Sequence, residues 1–336
     1  MSGKDKVLVL GATGGIGGEM ARQLRDSGWD VRALQRRAMP SDDGRGGLRD
    51  GMTWFRGDAM NRDDVMAAAR GCSVIVHAVN PPAYHRWSQL VLPMLDNSIA
   101  AACALGATIV FPGTIYNFGP DAFPLLSEQS PQHPGTRKGA IRVEMERRLL
   151  AASSNGARVI IVRAGDFFGP QVRSSWFSQG LIKQGKPVRA ISNPSTPGVG
   201  HQWAYVPDVA RTMVELLARR ESLASFASFH MAGHWDADGT QIAASIQRVV
   251  ARRTGRKPRI SSIPWWLMTL ASPFVEMLRE MREMRYLWLE PLRMDNARLL
   301  SVLGREPHTP LDQAVETSLL GLGCIAQPAG SVTASV

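Results

Sequence analysis

The chain contains a glycine-rich turn of the kind that binds the phosphates of a nucleotide. The apolar run Val7–Leu10 leads directly into Gly11–Gly17 (GATGGIG), and apolar residues at helical spacing follow. Glycine lets a backbone approach a pyrophosphate closely, and the N–H groups and dipole at a helix start favour an anion. This succession of strand, turn and helix predicts a dinucleotide-binding site that includes Gly11, Thr13, Gly14, Gly15, Ile16 and Gly17.

The end of the next apolar run bears on the choice of dinucleotide. That run ends in Leu34-Gln35-Arg36-Arg37, without an acidic residue. An acidic residue there would bind the ribose 2′-hydroxyl of NAD, whereas a guanidinium matches the 2′-phosphate of NADP. We therefore predict that Gln35 and Arg36 contact the cofactor and that NADP is favoured, with NAD as the alternative. If both arginines were only surface charges, this preference would be absent.

Short β-rich runs alternate with helical patterns through the first half of the chain. Runs such as Val7–Leu10 are apolar without interruption, which is typical of strands buried on both faces of a parallel sheet. The alternation predicts an α/β fold of the Rossmann type with a doubly wound parallel sheet. The predicted strands are Lys6–Leu10, Asp30–Leu34, Thr53–Arg56, Val74–Ala78, Thr108–Phe111 and Arg158–Arg163.

The same pattern divides the chain into three parts. Residues 1–168 are predicted to form the dinucleotide-binding core. Residues 169–326 are predicted to form a smaller, mostly helical substrate-binding part, interwoven with the last core strand and helix. Residues 327–336 have the composition of a flexible tail. Within the second part, we expect a helix to start at Asp208, an N-cap residue type directly after Pro207.

Composition narrows the class of protein and its partners. The 336 residues include 39 Lys+Arg and 29 Asp+Glu, for a formal net charge of +10. The basic residues are mostly scattered arginines with acids among them, so we expect an anionic small molecule rather than a nucleic acid as partner. The three cysteines stand far apart in no metal-ligand spacing, which predicts no metal site and a reducing compartment.

The distribution of apolar residues bears on location and assembly. The chain start lacks a signal-peptide pattern, and no apolar stretch reaches the ~20 residues of a membrane span, so a cytoplasmic protein is expected. The stretch Ile263–Met268 (IPWWLM), followed by charged residues at 279–285, favours an amphipathic lid or interface helix over one lying on a membrane surface. A homodimer is compatible with this pattern.

Segments along almost the whole chain resemble the extended short-chain dehydrogenase/reductase superfamily, often called the NAD(P)-dependent epimerase/dehydratases. The similarity begins at the glycine-rich turn and continues to a C-terminal signature. The segments that carry it are Gly11–Gly17, Gly57-Asp58, Val74–Ala78, Arg163–Pro170, Tyr205–Ala210 and Leu303–Leu311.

The resemblance implies further contacts with the cofactor. An aspartate at the position of Asp58 meets the adenine in this family, and the end of the fourth strand flanks the cofactor. The segment that begins at Arg163 borders the nicotinamide. The additional residues that the resemblance places at the cofactor are Asp58, Ala59, Ala78, Val79, Asn80, Lys138, Ala164 and Phe167.

The catalytic residues of the family match only in part. The family uses a Tyr four residues before a Lys on one helix face, with a Ser or Thr that steadies the substrate oxygen. Lys138 matches the lysine, but Pro134 stands in place of the tyrosine and Pro112 in place of the Ser or Thr. Thr114 lies close to the latter position, and Tyr116 follows it.

Three explanations of this departure remain. Tyr116, Thr114 or His133 takes over proton transfer in an atypical reductase or isomerase, with Lys138, Tyr116 and Thr114 as the candidate catalytic set. Alternatively, the protein binds the cofactor without turnover, as a redox-sensing regulator. The third explanation is an alignment shifted by one or two residues within Gln132–Lys138.

Residues that follow the central strands are expected to form the substrate pocket, because ligands of open α/β sheets bind beyond the carboxyl ends of the strands. The expected walls are Asn80–Trp87 and Thr114–Asn117, with Trp176 and Trp203 closing the pocket. Aromatic residues beside few charges predict a small, apolar or aromatic carbonyl or hydroxyl substrate. Core packing is the alternative role for the two tryptophans.

Overall fold

The computed structural model describes residues 5–37, 47–81, 87–272 and 282–327. Fifteen strands are found within these ranges, and eight of them form the central sheet. The strands are β1 (Lys6–Leu10), β2 (Asp30–Gln35), β3 (Gly47–Arg49), β4 (Met52–Arg56), β5 (Val74–His77), β6 (Thr108–Thr114), β7 (Leu125–Leu126), β8 (Arg158–Ala164), β9 (Asp166–Phe168), β10 (Ala190–Asn193), β11 (His201–Tyr205), β12 (Phe226–His230), β13 (His234–Asp236), β14 (Arg259–Ser262) and β15 (Arg293–Met294).

The helices cover both faces of the central sheet and continue into the C-terminal part. Shorter 3₁₀ turns also occur, of which Ile115–Asn117 and Met284–Trp288 lie near the site described below, and Trp176–Leu181 forms a single π-helical turn. The described α-helices are α1 (Gly15–Asp26), α2 (Arg62–Ala69), α3 (Trp87–Leu105), α4 (Arg137–Ser153), α5 (Val206–Leu217), α6 (Gln241–Thr254), α7 (Trp265–Ala271), α8 (Ala297–Leu303) and α9 (Leu311–Gly321).

The central sheet has the order β12-β8-β6-β5-β1-β2-β4-β3, and every pairing is parallel except that of β3 with β4. Successive strands step outward in opposite directions from the boundary between β1 and β5. That boundary is the topological switch point at which open α/β sheets bind ligands. The predicted doubly wound Rossmann-type sheet is confirmed.

Two apolar layers enclose this sheet. Met20 of α1 and Met213 of α5 pack with Val7 and Val9 on one face. Val65 of α2 and Leu149 of α4 pack with Leu8 on the other face. Since Val7–Leu10 is apolar at every position, β1 buries side chains on both faces, as a central parallel strand must.

The C-terminal part returns to the sheet before it forms its own small layers. Strand β12 pairs in parallel with β8, while β9, β11 and β13 form a separate three-stranded sheet. Helices α6 and α9 pack in a third apolar cluster with the aromatic side chains of β9 and β11. The chain beyond residue 168 thus supplies one strand of the central sheet and a cap at the carboxyl ends of its strands.

One predicted helix start changes in the structure. Helix α5 begins at Val206, with Tyr205 as N-cap residue, so the predicted start at Asp208 is wrong. The carboxylate of Asp208 instead accepts hydrogen bonds from the backbone N–H of Thr309 (2.6 Å) and from its hydroxyl (2.8 Å). The Asp208 carboxylate therefore binds Thr309, 101 residues away in sequence, instead of capping the helix.

The apolar stretch near Ile263 forms α7, whereas residues 273–281, which include the start of the charged segment 279–285, lie outside the described residues. Within the described ranges, no helix is both long enough and apolar enough to cross a membrane.

Candidate active site

A cleft of about 1340 Å³ lies at the carboxyl ends of the central strands, over the switch point between β1 and β5. Segments that follow β1, β2, β4, β5 and β6 line it, together with the start of α4 and residues from the C-terminal part. Of the predicted site residues, Gly11, Thr13, Gly14, Gly15, Ile16, Gln35, Arg36, Asp58, Ala59, Ala78, Val79, Asn80, Thr114, Tyr116, Lys138 and Phe167 line this cleft.

The glycine-rich turn has a geometry that fits a pyrophosphate. Gly11 has a φ of +91°, and its carbonyl accepts a hydrogen bond of 2.8 Å from the N–H of Gly14. Gly14 is the N-cap of α1 and provides no capping side chain, so the helix start is open to an anion. A Cβ on Gly17 would collide with the carbonyl oxygen of Gly11. The lack of a side chain at Gly17 therefore allows the close approach to Gly11 that the turn requires. Gly17 itself does not line the cleft.

The cleft is basic where it follows the end of β2. Gln35 and Arg36 line the cleft, and Arg36 and Arg37 are exposed beside Thr13. The carboxylate of Asp58 follows β4 and accepts a hydrogen bond of 3.0 Å from the N–H of Met60. The described residues directly after β2, Arg36 and Arg37, supply two guanidinium groups and no carboxylate.

Lys138 is placed by the start of α4. Thr136 caps this helix, because its hydroxyl accepts a hydrogen bond of 3.0 Å from the N–H of Gly139. A side chain at Gly139 would collide with the carbonyl oxygen of Tyr116. Glycine at this position therefore lets the helix start lie against the Tyr116 turn. Lys138, only 7% exposed, reaches the cleft that Tyr116 also lines.

Thr114 and Tyr116 form the turn that follows β6. The Thr114 hydroxyl accepts a hydrogen bond of 3.3 Å from the backbone N–H of Tyr116 and so caps the short 3₁₀ turn. The Tyr116 hydroxyl donates a hydrogen bond of 3.0 Å to Oδ1 of Asp166. Thr114 retains its own O–H as a donor, and both residues line the cleft.

Asp166 and His201 form a polar pair that the sequence did not reveal. Oδ2 of Asp166 lies 2.9 Å from Nε2 of His201, and Nδ1 of His201 lies 3.2 Å from the carbonyl oxygen of Leu287. Asp166 is 4% exposed and lines the cleft, whereas His201 is 1% exposed and stacks on Trp288 at 3.7 Å. Asp166 lies in a segment that the sequence assigned to the nicotinamide border, but His201 carries no local signal.

Three other predicted residues lie outside the cleft lining. His133, an alternative proton donor, has a side chain that is 74% exposed, and its Nδ1 is 2.8 Å from Oδ2 of Asp121. Ala164 is fully buried at the end of β8. Trp203 is 1% exposed and packs in the C-terminal core, so core packing is its role, whereas Trp176 lines the cleft.

The end of the cleft beyond β5 and β6 is lined by apolar residues and by a guanidinium that the sequence did not indicate. The guanidinium carbon of Arg142 lies 5.5 Å from the ring centre of Trp87 and 5.8 Å from that of Phe111. Trp87 donates a hydrogen bond of 2.6 Å to the side-chain oxygen of Asn80. Residues 82–86 of the predicted wall lie outside the described residues. Other residues that line this end are Pro81, Leu90, Met94, Trp176, Gln179 and Met284.

A parallel sheet with an open helix start at its switch point defines a dinucleotide-binding protein of the Rossmann class. Residues 7–232 match the model of the NAD dependent epimerase/dehydratase family. This match covers more than half of the 336 residues. The chain belongs to this family, and the protein is an enzyme of the NAD(P)-dependent oxidoreductase and epimerase type.

Curated relatives of low identity include two proteins named as reductases. A Synechocystis protein named "Putative dihydroflavonol 4-reductase" is 22% identical over 92% of this chain and 83% of its own. A Streptomyces 3-diazoavenalumate denitrifying reductase is 30% identical over 49% of this chain and 57% of its own. An uncharacterised Sinorhizobium fredii protein, y4nL, is 29% identical over 54% of this chain. The match spans 56% of that protein's length.

Solved structures share the fold over nearly the whole chain. MoeE5 in complex with UDP-glucose and NAD superimposes with a TM-score of 0.69 at 19% identity, covering 94% of this chain and 98% of that one. A UDP-glucuronic acid 4-epimerase from Bacillus cereus in complex with NAD gives a TM-score of 0.70 at 16% identity, with coverage of 94% and 98%. At these identities the similarity establishes the fold alone.

Proposed function

We propose that the protein is an NADP-dependent oxidoreductase that interconverts a carbonyl and a hydroxyl group, with Tyr116 as the group that exchanges a proton with the substrate oxygen. The observation that carries the proposal is the Tyr116 hydroxyl, which lies in the cleft with Lys138 and is held by Asp166. A tyrosine and a lysine in one cleft are the pair that this family uses, although here the tyrosine comes from the turn after β6.

The residues of the cleft fit a nicotinamide dinucleotide along its length. The turn Gly11–Gly17 would hold the pyrophosphate, and Arg36 would hold the 2′-phosphate of NADP, since a guanidinium forms paired hydrogen bonds with a phosphate. Lys138 would bind the nicotinamide ribose. A bound nicotinamide would supply a hydride to the substrate carbon, or accept one in the opposite direction.

Two side chains of the protein would interact with the substrate oxygen, by proton transfer and by a hydrogen bond. Tyr116 is the proposed proton donor or acceptor, and the remaining O–H of Thr114 would donate a hydrogen bond to the same oxygen. Leu90, Met94 and Trp176 would contact the rest of the substrate. We therefore propose a small substrate with an apolar or aromatic body, whose carbonyl or hydroxyl points toward Tyr116.

A binding titration combined with a substrate panel tests this function. NADPH and NADH are titrated into the protein, and a panel of aromatic and aliphatic ketones, aldehydes and alcohols is then assayed for cofactor turnover. We expect tight NADPH binding and turnover with members of the aromatic set. Gly17→Ala is the negative control for cofactor binding. Its methyl group would displace the Gly11 carbonyl and so distort the turn. Gly135→Ala is the matched control, since a Cβ there meets open space. Tight NADPH binding without turnover on any compound would contradict the catalytic proposal.

A further inference from the structure

The hydrogen bond from Tyr116 leads away from the cleft into a buried carboxylate. The Tyr116 O–H donates to Oδ1 of Asp166 at 3.0 Å, and the same tyrosine lines the cleft. In this arrangement the proton of Tyr116 already points to Asp166.

His201 holds the other oxygen of this carboxylate. Both ring nitrogens of His201 face oxygen atoms, Oδ2 of Asp166 at 2.9 Å and the Leu287 carbonyl at 3.2 Å. A carbonyl only accepts hydrogen bonds, so Nδ1 must carry a proton to satisfy it. Nε2 likewise carries a proton when Asp166 is a carboxylate. With Asp166 ionised, this geometry requires a doubly protonated ring, and the two groups form a buried pair of opposite charges.

We propose that Asp166 is the proton store of the site and that it exchanges a proton with the substrate through Tyr116. This inference rests on the proposed role of Tyr116. In the oxidative direction the substrate O–H bond breaks and its proton goes to the Tyr116 oxygen. The Tyr116 O–H bond breaks in turn, and its proton goes to Oδ1 of Asp166. A bound oxidised nicotinamide would accept the hydride from the substrate C–H bond. Reduction would use the same proton steps in reverse and would begin with the proton on Oδ1 of Asp166.

His201 acts in this scheme as a positioning residue. Its Nε2–H holds Oδ2, which leaves Oδ1 directed to Tyr116. The ring itself is fixed by Trp288, which stacks on it, and by Trp203, whose ring lies 5.2 Å away at a steep angle. The relay thus connects the cleft to a carboxylate that is almost completely enclosed by the protein.

A set of variants separates the relay from the role of Tyr116. Asp166→Asn cannot take up a proton, so we expect it to lower turnover by about a hundredfold, with NADPH affinity unchanged. The double variant Tyr116→Phe/Asp166→Asn is expected to be no slower than Tyr116→Phe, because Asp166 acts only through Tyr116. Asp121→Asn is the matched control, since it alters an exposed Asp–His pair outside the cleft.

Two further measurements distinguish a relay from a structural effect. The rate of the first turnover is measured in mixtures of H₂O and D₂O. We expect a curved dependence on deuterium fraction in the parent, because two protons move, and a linear dependence in Asp166→Asn. In the parent protein with ¹⁵N-labelled histidine, the His201 signals should show both ring nitrogens protonated at neutral pH. His201→Gln identifies those signals among the seven histidines.

The outcomes separate the two proposals. Parent-like turnover in Asp166→Asn together with a large loss in Tyr116→Phe would overturn the relay and leave the proposed function standing. Parent-like turnover in Tyr116→Phe would overturn the proposed function itself. A His201 ring with an unprotonated Nδ1 would overturn the buried ion pair, without depending on activity or on the folding of an Asp166 variant.

Discussion

The Tyr116 hydroxyl lies 3.0 Å from Oδ1 of Asp166 and thereby joins the turn after β6 to the first residue of β9. This contact fixes the orientation of the only tyrosine that lines the cleft among the described residues. Lys138 enters the same cleft from the start of α4. The site thus brings a phenol and an ammonium together, although the sequence spacing of the family's Tyr–Lys pair is absent.

Arg36 is expected to set the preference between the two dinucleotides. Arg36→Ala should weaken NADPH binding by tenfold to a hundredfold, because a charge-assisted phosphate contact contributes ~1.5–3 kcal/mol. NADH affinity should remain unchanged, since NADH lacks the 2′-phosphate. Both affinities are measured by calorimetric titration. Arg70→Ala, which removes an exposed arginine outside the cleft lining, controls for net charge. Equal NADPH and NADH affinities in the parent would show that the end of β2 does not select the cofactor.

A buried ion pair beneath the site is expected to contribute strongly to stability. Arg163 donates to Glu146 through Nε and Nη2, and the two side chains are 3% and 6% exposed. Glu146→Ala leaves the guanidinium buried without its carboxylate, so we expect a loss of ~3–5 kcal/mol in the free energy of unfolding.

Glu144 on the same helix provides the matched control for Glu146. Its carboxylate pairs with Arg147 and Arg148, and its side chain is 29% exposed. Glu144→Ala should cost less than ~1 kcal/mol, as surface ion pairs do. Urea unfolding of the two variants checks the difference, and equal losses would refute the importance of the buried pair.

His77 is expected to make stability depend on pH. Burial, together with the nearby Arg142 guanidinium, lowers the pKa of His77 from 6.5 to about 3. The unfolded state therefore binds a proton more tightly than the folded state. The contribution of His77 is complete above about pH 6.5 and is lost as the pH falls toward 3. By this linkage His77 alone should lower the free energy of unfolding by ~2 kcal/mol between about pH 7.5 and about pH 5.

Two variants test the share of His77 in this pH dependence. His230 and His234 also have lowered pKa values, about 3 and about 4, mainly because of burial, so the parent should lose more than the share of one histidine. His77→Gln should reduce the pH-dependent loss, whereas His133→Gln should not, because His133 is exposed. Urea unfolding at both pH values checks this. Identical pH dependence in His77→Gln and the parent would contradict the assignment.

The fold and the glycine-rich turn were predictable because their signals are local. Val7–Leu10 and the following glycines lie within eleven consecutive residues, and burial of β1 on both faces matches its uninterrupted apolar sequence. The start of α5 was missed because Asp208 bonds to Thr309, far along the chain. Local sequence shows that the side chain of a residue can cap a helix. It does not show that a distant segment forms hydrogen bonds with that side chain instead.

The proposed proton-transfer residues were predictable only in part. Tyr116 could be identified from the sequence because it follows a predicted central strand. Asp166 and His201 are 35 residues apart, and they meet because β9 and β11 pair with Trp203 opposite Asp166. His201 is two residues from Trp203, so it lies diagonally across from Asp166 on the same face. That proximity depends on strand register, which the sequence pattern around residue 166 did not specify.

Turnover of the Tyr116→Phe variant tests the central claim most directly. Phenylalanine retains the ring and removes only the hydroxyl that bonds Asp166. With the substrate identified by the panel and NADPH affinity measured in parallel, kcat should fall by two to four orders of magnitude, roughly the range for a lost general acid or base, while NADPH affinity stays at the parent value. A Tyr116→Phe variant that binds NADPH normally and turns over at the parent rate would show that Tyr116 transfers no proton in this site.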